Sequence, residues 1–318
     1  MPTLAPVHLA GYQGGASILT AALTALARRL DGGCVGTPHL VTDVTTLGES
    51  AASLFASVES GERHIGYMAS GYLSARVPEL GVLDLPFTVH DRSAALTALD
   101  GAAGKMLRDA VARESGFHVL AFWDNGFRHI SSGRGPLRSP EDCEGMVIRT
   151  LDSALYRETL DALGFKALTT DVKDLIKVVR EGTVHAQENP LTNLLSFELW
   201  QFHRYVSLSQ HFFGVLLLVC PRAWYGQLNE AQRAELQATV DEATSQQRKA
   251  AAAQDAIALA RLRELGVQVT GPESMDLAAL RKAVAPVCER YRRRLPSGLV
   301  SAYLSAGPNH LAAQGAPA

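Results

Sequence analysis

Gly126-Phe127-Arg128, followed by Ser139-Pro140-Glu141-Asp142-Cys143-Glu144-Gly145-Met146-Val147-Ile148-Arg149, is the stretch whose reading decides the fold. A short apolar run ends there on an arginine, and Gln187-Glu188-Asn189-Pro190 closes a second short run further along. In an open α/β sheet the carboxyl ends of strands face the crevice where ligands bind, and the planar fork of arginine matches a carboxylate bidentately. The pattern predicts an α/β protein with a carboxylate-receptor site at Arg149.

Working outward, apolar and β-branched runs alternate with helical patterns, as a parallel-rich α/β architecture requires. Residues 6–10 read as a strand and 11–15 as a turn, after which Ile18, Leu19, Ala22, Leu23, Leu26 and Leu30 recur at helical spacing. Further strands are expected at 39–44, 64–68 and 117–123, with helices at 49–58, after an Asp91 cap, and after Gly101. The alternation then restarts with strands at 127–131, 146–149 and 184–187 and helices at 153–163 and 172–181. A second domain therefore begins near residue 125. Strands at 205–208 and 213–220 return the chain to the first sheet.

Residues 229–265 contain no proline and no internal glycine, and Asn229 with Gln232 gives a capping-box signal. A helix of that length reaches roughly 55 Å at ~1.5 Å per residue and is expected to run across both domains as a strut. A last helix over 275–291 is expected to break or kink at Pro286. The domain assignment is 1–125 with 213–250 for domain I, 126–212 with 251–295 for domain II, and a poorly ordered Gly/Ala/Pro-rich tail at 296–318.

The composition of the 318 residues, 47% apolar and 19% charged with a formal net charge of -2, suits a globular protein and offers no general attraction to nucleic acid. The longest apolar run, at 212–220, is far short of the ~20 residues a membrane-spanning helix needs. The opening residues 1–10 show no secretory leader, which leaves a cytoplasmic protein or one whose leader has been removed. Cys34, Cys143, Cys220 and Cys288 form no C-x-x-C pair, and the histidines form no ligand motif, so no metal and no cofactor is expected. An even cysteine count leaves a disulfide open. Gly11-Tyr12-Gln13-Gly14-Gly15 lacks the spacing and lysine of a phosphate loop and reads as a turn whose Tyr12 or Gln13 edges a ligand.

Several motifs in order make the chain resemble the solute-binding proteins of tripartite ATP-independent periplasmic (TRAP) transporters. They are Gly81-Val82-Leu83-Asp84-Leu85-Pro86-Phe87, Leu99-Asp100-Gly101, Trp123 with Gly126-Phe127-Arg128, Pro140-Glu141-Asp142 with Gly145 leading to Ile148-Arg149, and Gln187-Glu188-Asn189-Pro190. The resemblance spans roughly residues 5–295. It implies two α/β domains joined by hinge strands and one long helix, closing on an organic acid. It further implies a periplasmic protein with its signal peptide removed, which hands the acid to the TRAP membrane permease; a monomer is expected. By the same resemblance Arg149 forms the bidentate pair with the ligand carboxylate, Arg128 supplies a second positive charge, and Asn189 positions the carboxylate.

Around that centre Met68, Ser70 and Tyr72 are candidates for the opposite wall, Phe212 for an aromatic wall, and Val172 for the position where some relatives place an aromatic contact. Each has a structural alternative as a core or hinge residue, and Asn189 before Pro190 also reads as a helix start. Met68, Val172 and Phe212 together suggest a partly apolar far wall and a small acid, with a modest hydrocarbon or hydroxylated body rather than a long polar chain such as a large sugar acid. No nucleophile elbow or cofactor fingerprint appears, so a receptor is favoured over a carboxylate lyase or isomerase. A ligand-sensing module for a signalling partner is a further alternative on the same fold.

Overall fold

A computed structural model describes residues 5–304. Its strands are β1 (Pro6–Ala10), β2 (Thr37–Val41), β3 (Ile65–Ala69), β4 (Phe117–Ser132), β5 (Val147–Thr150), β6 (Lys166–Thr169), β7 (Ala186–Pro190), β8 (Tyr205–Pro221) and β9 (Gln268–Thr270). They form one sheet in the order β2-β1-β3-β8-β4-β7-β5-β6, with β9 beside β8. The outer blocks β2-β1-β3 and β7-β5-β6 are each internally parallel. Between them β4 and β8 run antiparallel to each other, and each joins its own block by an antiparallel pairing. The two halves of the molecule thus share a pair of long strands.

Each of those long strands was expected as two short ones, yet β4 and β8 are continuous over 16 and 17 residues. The polar positions that suggested breaks are absorbed as irregularities in the ladder, where the register shifts between Val119 and Ala121, Asp124 and Gly126, and Arg128 and Ile130. Gly126 takes φ +83 at the middle shift, a left-handed conformation that suits glycine and lets one extra residue enter one strand. Burial on both faces removes the alternation by which such a strand would be recognised.

Helices cover the sheet where the sequence gives them an apolar stripe and a cap. The helix Ile18–Leu30 starts on Ser17, whose Oγ accepts the Leu19 N–H at 3.1 Å, and buries Leu19, Leu23, Leu26 and Leu30. The helix Ala51–Ser60 starts on Ser50 and stops at Gly61, where φ is +88. Downstream, the helix Glu230–Glu264 has 35 residues, about 52 Å at ~1.5 Å each, and opens with the reciprocal Asn229–Gln232 capping box. Its first turns hold the loop at Cys34, because Glu235 accepts the Cys34 N–H and the Gln232 amide donates to the Cys34 carbonyl, both at 2.9 Å.

Its middle clamps β4 beside the register shift. Gln247 accepts the Asp124 N–H at 2.9 Å and donates to the Asp124 carbonyl at 2.6 Å, while the fully buried Trp123 donates to Thr244 Oγ1 at 3.1 Å. Further on, Ala258 and Leu262 pack with Leu175, Val179 and Leu199 in the core of the second half. The expected strut is present.

Two expectations near the end of the chain need correction. The helix Leu277–Arg292 runs through Pro286 without a break. Residues 297–304, expected to be poorly ordered, form the helix Ser297–Leu304, and Leu299, Val300 and Tyr303 are buried in the core of the first half. Their helical spacing supplies an apolar stripe that the surrounding Gly and Pro content masked. The rest of the expected tail, 305–318, lies outside the described residues. All four cysteines are free thiols.

Candidate functional site

The carboxyl end of β5 places Arg149 between β6 and β7, opposite Leu168 and Gln187. Only 2% of the residue is exposed. Its Nε and Nη2 both donate to the Thr170 carbonyl, at 3.1 and 2.6 Å. One edge of the fork is thereby spent on orienting the side chain, the Tyr72 hydroxyl lies beside the guanidinium, and Nη1 donates to no carboxylate of the described residues. No Asp or Glu among the described residues pairs with it. A buried cation without a counter-ion is costly, and an anionic ligand relieves that cost.

Arg128 faces the same space from β4 but has a partner. Its Nε donates to Glu188 Oε2, and its Nη2 reaches Glu188 Oε1 at 3.0 Å and the Glu188 carbonyl at 2.9 Å. Thr150 adds a hydroxyl to Glu188 Oε1 at 2.8 Å. Burial alone would raise the Glu188 carboxyl, but the Arg128 charge, the hydrogen bonds from Arg128 and the His211 ring nitrogen 3.7 Å away outweigh it and hold it down to about 2. The same partnership pushes Arg128 above its ordinary value against the opposing effect of burial. This pair is charged and committed.

Asn189 lies within β7 and is not the helix start its sequence suggested; Pro190 takes the capping position before Leu191–Ser196. Its Nδ2 donates to Gln187 Oε1 at 2.6 Å, and its Oδ1 accepts from Asn193 Nδ2 at 3.1 Å and from Arg128 at 3.4 Å. One Nδ2 proton is left for a ligand.

Arg149, Arg128 and Asn189 line one cavity with Tyr12, Gln13, Tyr72 and Val172, so seven residues singled out from sequence meet there. Met68, Ser70 and Phe212 are not part of the lining. Met68 is a core residue of β3. Ser70 donates to the buried Asp84 at 2.9 and 3.1 Å. Phe212 packs against Tyr156 with the rings tilted by 31° and their centroids 4.1 Å apart. Strand alternation turns such side chains away from the crevice, and sequence position alone does not say which face wins.

Sequence reading missed Ala69, Asn125, Leu151, Leu175, Asn193 and Phe197 in the lining, and Glu188 behind it. Asn193 carried a usable signal, since it follows Asn189 by four residues and the two side chains bond. Asn125 carried none, because its orientation depends on the shift at Asp124 and Gly126.

The space between these residues measures about 30 Å³ and is partly open to solvent. Tyr72 and Tyr12 stay protonated, since burial raises both hydroxyls. At the rim, Asp171 precedes the helix Val172–Arg180 and accepts the Lys173 N–H at 3.0 Å. The same carboxylate accepts the Ala51 N–H at 3.2 Å, from the first turn of the helix on the facing half.

Comparison with known proteins gives the same reading. Residues 41–294 match the family model for DctP, described as bacterial extracellular solute-binding protein, family 7. An uncharacterized protein, y4mM, of Sinorhizobium fredii is 33% identical over 264 residues, covering 82% of this chain, which spans only 47% of that protein's length. The 2,3-diketo-L-gulonate-binding periplasmic protein YiaO of Escherichia coli is 28% identical, covering 71% of this chain and 68% of that one. A TRAP periplasmic solute-binding protein from Roseobacter denitrificans with bound β-D-glucuronate superposes with a TM-score of 0.88 at 25% identity, covering 94% of this chain and 99% of that one. The chain belongs to the bacterial extracellular solute-binding proteins of family 7, the DctP family.

Proposed function

We propose that this protein is the extracytoplasmic receptor of a TRAP transporter, capturing a small organic acid between its two halves and presenting it to the membrane permease without chemistry. The observation that carries this reading is Arg149, a buried guanidinium in the cavity with no acidic partner among the described residues. A solute-binding family, rather than an enzyme family, is the setting. The cavity supports a closing mechanism, because its lining comes from both halves, Tyr12, Gln13 and Tyr72 from one and Arg149, Val172 and Asn189 from the other. Release from the permease side would reverse that motion. A periplasmic location and a monomeric state complete the proposal, with domain I built from 1–125 and 213–250 and domain II from 126–212 and 251–295.

A thermal-shift screen of organic acids, run on protein refolded free of co-purified ligand and repeated on Arg149→Ala, tests the reading. Stabilisation by an acid that the variant does not share supports it. Equal stabilisation of both proteins by every acid that binds would overturn the clamp. Recovery of the bound acid unchanged after incubation separates a receptor from an enzyme.

A further inference from the structure

We infer that the site is built for a singly charged, hydroxylated acid and discriminates against the dicarboxylate of the same carbon skeleton; this rests on the carboxylate-receptor reading above. Two arginines line the cavity and no acid does, which at first suggests two anionic groups on the ligand. The ion pairs say otherwise. Glu188, fully buried behind the lining, takes three hydrogen bonds from the guanidinium of Arg128, two on its carboxylate and one on its carbonyl. The charge of Arg128 is therefore answered within the protein, and one uncompensated cation, Arg149, remains for the ligand. A second carboxylate buried here would have to share Arg128 with Glu188, placing two anions on one cation in a region without water to spread the charge.

The polar atoms that remain free fit the same conclusion. Neither the oxygen nor the nitrogen of the Asn125 side chain has a partner among the described residues, and that residue is 5% exposed. Gln13 accepts from Ser17 with its oxygen and keeps its Nε2 free. Asn193 donates through Nδ2 to Asn189 and keeps an acceptor oxygen. The set offers donors and acceptors side by side. A carboxylate only accepts, whereas a hydroxyl does both and satisfies each kind. Amides left unmatched when a ligand displaces water are costly, so they favour a ligand that carries hydroxyls beyond the carboxylate on Arg149.

The test uses matched pairs in isothermal titration calorimetry on the full chain: erythronate against meso-tartrate, and D-galactonate against galactarate. Within each pair the carbon chain and internal hydroxyls are the same, and only the far end changes from CH2OH to carboxylate. At least one monoacid should bind at least roughly a hundredfold more tightly than its diacid. Glu188→Gln, which frees the charge of Arg128, should narrow or invert that ratio. If that variant does not fold, the wild-type ratios decide alone.

A diacid that binds as tightly as its monoacid overturns the charge argument while leaving the receptor reading intact. The same holds if none of the four binds and succinate, pyruvate or benzoate does so through Arg149. If no acid of either group binds, the receptor reading itself falls.

Discussion

Replacing Arg149 by alanine removes the single uncompensated cation of the cavity, and with it the reason a carboxylate leaves water. Affinity for the cognate acid should fall by about 3 to 5 kcal/mol, two to four decades, in calorimetry. Because the wild-type guanidinium has no acidic partner, the ligand-free variant should unfold at an equal or higher temperature than the parent. Lysine at 149 should rescue poorly, since it brings the charge without the fork. An ester or amide of the ligand that binds as well as the acid would sink the clamp.

Two other buried carboxyls respond to pH in opposite senses. Burial pushes Asp84 up to about 7, only partly offset by hydrogen bonds from Ser70 and Tyr156. Its folded value lies above the ordinary 3.8, so the native state holds the proton longer, and its contribution to stability declines as pH rises from about 4 to about 7. Glu188 lies below its ordinary 4.5, so its contribution is present above that pH and fades as pH falls towards 2. Asp84→Asn should therefore gain melting temperature relative to wild type between pH 4.5 and 7.5. A constant difference across that range would refute the assignment.

Of these residues the sequence made Arg149 and Asn189 legible, because each ends a short apolar run within a recognisable motif. The pairing of Arg128 with Glu188 was not, for it joins residues 60 positions apart through a strand register that no local pattern encodes.

At the scale of elements the contact across the rim deserves a mutational test. Asp171 caps the helix Val172–Arg180 from its own half and reaches Ala51 in the other. Asp171→Ala loses a cap worth about 1 kcal/mol and the bond that spans the cleft. Ligand dissociation should quicken several-fold in stopped-flow measurements, with Asp171→Asn recovering most of the loss. Unchanged dissociation in the alanine variant would show that the contact carries no part of the closed state. The helices were the readable elements, since caps such as Asp91 and Asn229 and stripes at helical spacing are local. The strands β4 and β8 were readable only in pieces, because burial on both faces and three register shifts erase a period of two.

For the whole molecule, the two halves share a pair of long strands and the 35-residue helix, about which the proposed closure turns one half against the other. Adding a saturating cognate acid should lower the radius of gyration in solution scattering. Identical profiles with and without acid would mean that binding proceeds without closure. Two-domain architecture was visible in the sequence as a repeated alternation of strands and helices. The closing helix Ser297–Leu304 was not, since its apolar stripe finds its partners only in the finished core of the first half.

The carboxylate of Asp171 also keeps time. The Ala51 N–H belongs to the first turn of its helix, where an amide has no partner within the helix itself, and its bond to Asp171 is made across the cleft. Whenever the halves part, that proton meets solvent and can be replaced by deuterium, while amides deeper in the same helix stay protected. On the proposed closing mechanism the exchange rate of this one amide should count openings, and its slowing as acid is added would trace the occupancy of the closed state directly.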